Sequence, residues 1–84
     1  MDARTLIARG GAVLGIEFGS TRIKAVLIDD SCRPIAQGSH EWENQLVDGI
    51  WSYSLQAVRS GLADCYRSLQ RDVERRYGVR IHAL

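Results

Sequence analysis

Leu14-Gly-Ile-Glu-Phe-Gly-Ser-Thr-Arg-Ile-Lys-Ala-Val-Leu-Ile-Asp29 holds two short apolar runs separated by three residues. The first, Ala12 to Phe18, is ended by Gly19 and has the pattern of a buried strand. The second, Arg22 to Asp29, is apolar on both faces from Ala25 to Ile28. Gly19, Ser20 and Thr21 alone join them, far too short a link for the crossover that parallel strands need. The two runs therefore predict an antiparallel β-hairpin closed by a tight turn.

Working outward, Asp29-Asp-Ser-Cys-Arg-Pro34 reads as a second turn, with a proline that interrupts ladder bonding. Ile35 to Trp42 is more polar, contains a glycine and suits an edge strand. From Ile50 to Tyr77 the period changes. Trp51, Leu55, Val58, Leu62, Cys65, Leu69 and Val73 recur every three or four residues, an apolar stripe over about seven helical turns. Asp48 is the expected N-cap, Arg71, Arg75 and Arg76 suit the helix C-terminus, and Gly78 suits a left-handed cap. Val79 to Leu84 is expected to begin a further strand. The expected order is β-β-β-α-β: three antiparallel strands, a long helix, and a fourth strand parallel to the first by a right-handed crossover. Residues 1–11 are expected to be a flexible N-terminal segment, and 12–84 an incomplete domain whose exposed strand edges could self-associate.

The 84 residues allow one small domain. Hydrophobic residues make up 45% and charged residues 25%, with one proline, a composition that argues against disorder. Eleven basic residues face ten acidic ones, so the chain as a whole has no field to steer nucleic acid or an anionic membrane, and neither is expected as a partner. Cys32 and Cys65 stand far apart, with no histidine at metal-ligand spacing, and read as reduced thiols. The apolar run near the N-terminus, Leu6 to Ala8, is too short for a secretory leader, and the expected compartment is the cytoplasm.

The hairpin turn carries the chemistry. A bend rich in glycine and hydroxyl residues can aim several backbone N–H groups at one anion. Gly19 permits close approach, Ser20 and Thr21 add hydroxyl donors, and Lys24 brings a mobile cation. Glu17 would place a hard oxygen ligand beside bound phosphates, where Mg²⁺ is at home. Taken alone, the same residues also describe an ordinary turn in which the hydroxyls serve local backbone and Lys24 is solvated. The stretch is neither a P-loop, since G-x-x-x-x-G-K-[ST] is absent, nor a dinucleotide fingerprint, since no G-x-G-x-x-G precedes a helix.

The run from Glu17 to Ala25 resembles the first phosphate motif of the sugar kinase, heat-shock chaperone and actin superfamily, D-x-G-[ST]-[ST]-x-x-[KR]-[AGV]. Gly15-Ile16 before the motif, Lys24-Ala25-Val26, Asp29, and Gly49-Ile50-Trp51-Ser52-Tyr53 ahead of the long helix resemble the opening of the FGGY carbohydrate kinases, xylulokinase-like members above all. The resemblance implies an RNase H-like, actin-like ATPase domain. It implies ATP and Mg²⁺ as cofactors, with Gly19, Ser20, Thr21 and Lys24 on the phosphates and Glu17 at the metal position, where the family usually has aspartate. The extra methylene of Glu17 favours contact with Mg²⁺ through water. The implied activity is phosphorylation of a hydroxyl of a small sugar or polyol, a xylulose-like ketose foremost. The family's catalytic base matches no residue here, so this chain is expected to be the N-terminal part of the first kinase domain and inactive alone. The alternative is an actin-fold ATPase without sugar kinase activity, of chaperone, filament or activator type.

Other residues have plainer readings. Trp51, Tyr66 and Tyr77 are expected as core or docking contacts, and Trp42 and His40 as packing beside the third strand. His82 is expected as a buried imidazole on the last strand, Asp29 and Asp30 as solvated turn residues, and Arg67, Arg71, Arg75 and Arg76 as a solvated helix face.

Overall fold

The computed structural model describes residues 1–84. The deduced hairpin is present: β1 (Val13–Phe18) pairs antiparallel with β2 (Arg22–Ile28), and β2 pairs antiparallel with β3 (Pro34–Glu41) in a sheet of order β1-β2-β3. The protein is thus a small α/β fold, three antiparallel strands with a long helix, Leu55–Tyr77, C-terminal to them.

The connection between β2 and β3 is held by Asp29. Its Oδ1 accepts from the backbone N–H groups of Ser31 and Arg33, both at 2.9 Å, and Arg33 Nε donates to Oδ2 at 3.0 Å. Far from being a solvated turn residue, Asp29 is buried, because its side chain replaces backbone partners inside the bend. Those bonds, the Arg33 amide first, hold its carboxyl below the usual aspartate range.

Ahead of the long helix, the chain departs from the expected pattern. Gln45–Val47 (β4) and Ile50–Ser52 (β5) form a second, two-stranded hairpin. Asp48 (φ 51°) and Gly49 (φ 80°) both sit in the left-handed region, as the favoured two-residue hairpin turn demands. Asp48 is therefore a turn residue and not a helix cap, and Trp51 projects into solvent on β5. Helix α2, numbered after the short N-terminal helix described below, starts at Leu55 with Ser54 as its N-cap, whose Oγ accepts from Ala57 N at 3.0 Å. Gly78, at φ 68°, closes it in the left-handed conformation.

The second half of α2 lies across β2 and β3. Cys65, Leu69 and Val73 bury their side chains against Ile23, Ala25, Leu27 and Ala36. Burial of each large aliphatic side chain stabilises by about 1.5–3 kcal/mol. Burial also pushes the Cys65 thiol up, aided by the charge of Asp64, and leaves it a poor nucleophile.

The same helix seals the outer edge of β3. Asp72 Oδ2 accepts from Gln37 N at 2.9 Å, Ser68 Oγ accepts from Ser39 N at 3.1 Å, and Tyr77 Oη donates to Ile35 O at 2.7 Å. Two residues of strand rise about 6.7 Å and four residues of helix about 6 Å, so Ser68 and Asp72 keep step with Ser39 and Gln37. No strand neighbours the far edge of β1, and Val13, Ile16 and Phe18 are exposed there.

Burial works to raise the Asp72 carboxyl, but the Gln37 amide and the Arg76 and Arg75 guanidinium groups outweigh it and hold the pKa low. A carboxyl lowered in the folded state stabilises above its ordinary pKa, and that contribution is lost as pH falls through the folded-state value. Asp29 and Asp64 are lowered as well. Acidification from pH 5 toward pH 2 is therefore expected to lower Tm steadily. Asp72→Ala, which strips Gln37 N of its acceptor, is expected to destabilise by about 1–2 kcal/mol at pH 7 and to flatten that decline. Thermal melts across this pH range check both, and a decline equally steep in the variant would count against the Asp72 contribution.

Both chain ends differ from expectation. Residues 1–11, expected to be flexible, carry a short helix α1 (Ala3–Ala8), N-capped by Asp2 Oδ1 accepting from Thr5 N at 2.8 Å, with Leu6 and Ile7 buried. Residues 79–84 form no strand, and no parallel fourth strand joins the sheet. They are held by other means: Ile81 N donates to Gln70 Oε1 at 2.9 Å, and Ala83 lies against Gly10. His82 is exposed there, with no strand to bury it. Neither helix is long and apolar enough to cross a membrane.

Candidate phosphate-binding turn

Gly19, Ser20 and Thr21 form the β1–β2 turn, closed by Gly19 N donating to Arg22 O at 2.8 Å. A methyl group on residue 19 would stand 3.0 Å from that carbonyl, so the closure favours glycine. Glu17 and Lys24 are direct cross-strand partners, which places both side chains on one face of the sheet, opposite the face that β2 buries under α2 through Ile23, Ala25 and Leu27.

Two aromatic residues set the orientation of the turn. Trp42 Nε1 donates to Gly19 O at 2.8 Å, and Trp42 N to Thr21 O at 3.1 Å. The Tyr53 hydroxyl donates to Ser20 O. Trp42 and Tyr53 stack with ring centroids 4.2 Å apart, and the Phe18 ring lies tilted to the indole at 6.2 Å. In a trans peptide the N–H points opposite to the carbonyl. With the carbonyls of Gly19 and Ser20 turned to the aromatic pair, the N–H groups of Ser20 and Thr21 face the other way. Neither amide has an acceptor within the chain. Two free donors on one bend, fixed from behind, are suited to an anion, and the hollow beside them is lined by Thr21, Arg22, Glu41, Trp42 and Glu43.

Sequence reasoning brought Glu17, Gly19, Ser20, Thr21 and Lys24 to this end of the hairpin, and the structure gathers them there. It missed Trp42 and Tyr53, which reach the turn from the end of β3 and from just ahead of α2. The usable signal was the placement of a tryptophan directly after the third strand, level with the turn. His40 is engaged elsewhere: its Nδ1 lies 2.8 Å from Asp64 Oδ2 on α2, and this bond holds the Asp64 carboxyl low.

As a metal site the turn offers the carboxylate of Glu17, with Glu41 and Glu43 lining a hollow beside Thr21, and no three acidic, histidine or cysteine side chains come together to hold an ion anywhere in the chain. One carboxylate fits a Mg²⁺ that takes its remaining oxygens from phosphates and water, and does not fit an ion caged by the protein. No family model matches the chain, and neither does any curated protein or solved structure.

Proposed function

We propose that the β1–β2 turn binds the phosphate tail of ATP, and that the chain supplies this element to an ATP-dependent sugar kinase built on an RNase H-like fold. The observation that carries the reading is the pair of unpartnered Ser20 and Thr21 amides, turned outward by Trp42 and Tyr53. Around that pair, the Ser20 and Thr21 hydroxyls add donors and Lys24 offsets phosphate charge. Glu17, on the same face, would orient a water of the metal shell. With nucleotide bound, Mg²⁺ would supply neutralisation of the phosphate oxygens, the main electrostatic need of phosphoryl transfer. The family's general base matches none of these 84 residues, so the chain alone is expected to bind nucleotide and to phosphorylate no sugar.

Equilibrium dialysis with labelled ATP and Mg²⁺ tests the reading. Lys24→Ala is expected to weaken binding about tenfold and Thr21→Ala several-fold, as loss of one charge-assisted and one neutral hydrogen bond implies. Wild-type affinity in both variants would remove the phosphate role.

A further inference from the structure

A second charged feature lies beyond the turn, where α2 wraps the edge of β3. There a cleft of about 590 Å³ is walled by β2, β3 and α2 and has no hydrophobic residue in its lining. Five cations enter it: Arg22 and Lys24 from alternate positions of β2, and Arg71, Arg75 and Arg76 from α2. Asp72 is the one carboxylate among them. In a chain with a formal charge of +1, this concentrates four positive charges in excess at a single concavity.

The arrangement differs from a solvated helix face in two ways. Asp72 is fully engaged: it takes Arg75 at 2.6 Å and Arg76 at 2.9 Å, and its side chain is 11% exposed. It fixes those guanidinium groups without neutralising both of them. Meanwhile Arg22, Lys24 and Arg71 make no ion pair within the chain, although Arg71 stands one helical turn from the like charge of Arg75. Cations crowded from two elements around an engaged carboxylate raise the local concentration of anions and favour a ligand that bridges several of them.

We infer that this cleft is a binding site for a small oligophosphate, a chain of three or so linked phosphates with no requirement for a base. Guanidinium forks match phosphate oxygens in geometry and charge. The lining offers no aromatic or other hydrophobic side chain on which a nucleobase could stack, so affinity resides in the phosphates. The site is separate from the turn amides of Ser20 and Thr21, and shares with the proposed nucleotide site only Lys24.

Titration of the 84-residue chain with inorganic tripolyphosphate tests the inference, read by calorimetry and by amide chemical shifts. The expected result is saturable binding at 0.1 M salt that weakens steeply as salt is raised, with shifts at Gln37, Ser39, Ser68 and Arg71. The Arg71→Gln, Arg75→Gln double variant alters exposed positions and is expected to weaken binding by about tenfold per guanidinium while retaining its dispersed spectrum. Shifts confined to Ser20 and Thr21 would overturn the cleft as a site and leave the turn reading standing. Absence of binding, unchanged affinity in the double variant, or tighter binding of an oligouridylate of equal charge would overturn it as well.

Discussion

Gly38→Ala is expected to lose about 3 kcal/mol or more of stability, with a fall in Tm on the order of 15 °C. Gly38 lies on the face of β3 that meets α2, where the helix backbone itself is the contact surface. A methyl group at this position would stand 2.2 Å from Leu69 N and 2.7 Å from both Cys65 O and Leu69 Cα. Flexible side chains can swing away from such a clash, but helix backbone cannot. The variant must push α2 off the sheet, opening the contact that buries Cys65, Leu69 and Val73 and pulling Asp72 and Ser68 away from the β3 amides. Gly15→Ala serves as the control, because the nearest atom to its added methyl is Val26 O at an ordinary 3.9 Å. Urea unfolding of both variants decides the point, and a Gly38→Ala loss below 1 kcal/mol would mean that helix and strand are not in backbone contact.

Trp42→Ala is expected to be the second most damaging change, at about 2–3 kcal/mol, since it removes a half-buried indole, its bond to Gly19 O and its stack on Tyr53. Trp42→Phe separates the parts. It keeps an aromatic ring against Tyr53 and loses only the Nε1 donor, at about 1 kcal/mol. If the indole bond orients the turn, Trp42→Phe also weakens ATP binding while leaving most of the stability in place. Nucleotide affinity that stays intact in Trp42→Phe but falls in Lys24→Ala would show that the turn holds its shape without the indole.

The sheet and the site were legible to different depths in the sequence. The link of Gly19, Ser20 and Thr21 left no room for any connection but a hairpin, whereas the register that sets Glu17 opposite Lys24 is visible only in the structure, because the strands pair one residue out of step with a symmetric three-residue loop. Cys65, Leu69 and Val73 announced the buried face of α2 by spacing alone. Farther forward, the same periodicity misled. Trp51 falls in phase with Leu55, so the helical stripe ran on into residues that form β5, although Asp48-Gly49 between apolar pairs is a strong hairpin signal. Val79 to Leu84 alternates as a strand would, yet strands need a partner ladder, and this segment is anchored by the side chain of Gln70 instead. Six residues of α1 are too few for periodicity to show. The parts played by Trp42, Tyr53 and the arginine-lined cleft depend on residues distant in sequence, brought together only by packing.

The bonds from Ser68, Asp72 and Tyr77 to β3 give the sheet a direction. Lateral growth on that flank would first have to peel a helix from its hydrogen bonds, whereas the flank beyond β1 presents bare backbone at once. Whatever strand next enters this sheet, from this polypeptide or another, is steered to lie alongside Val13–Phe18. The order of any enlarged sheet is thus dictated by three side chains on a helix that belongs to no strand at all.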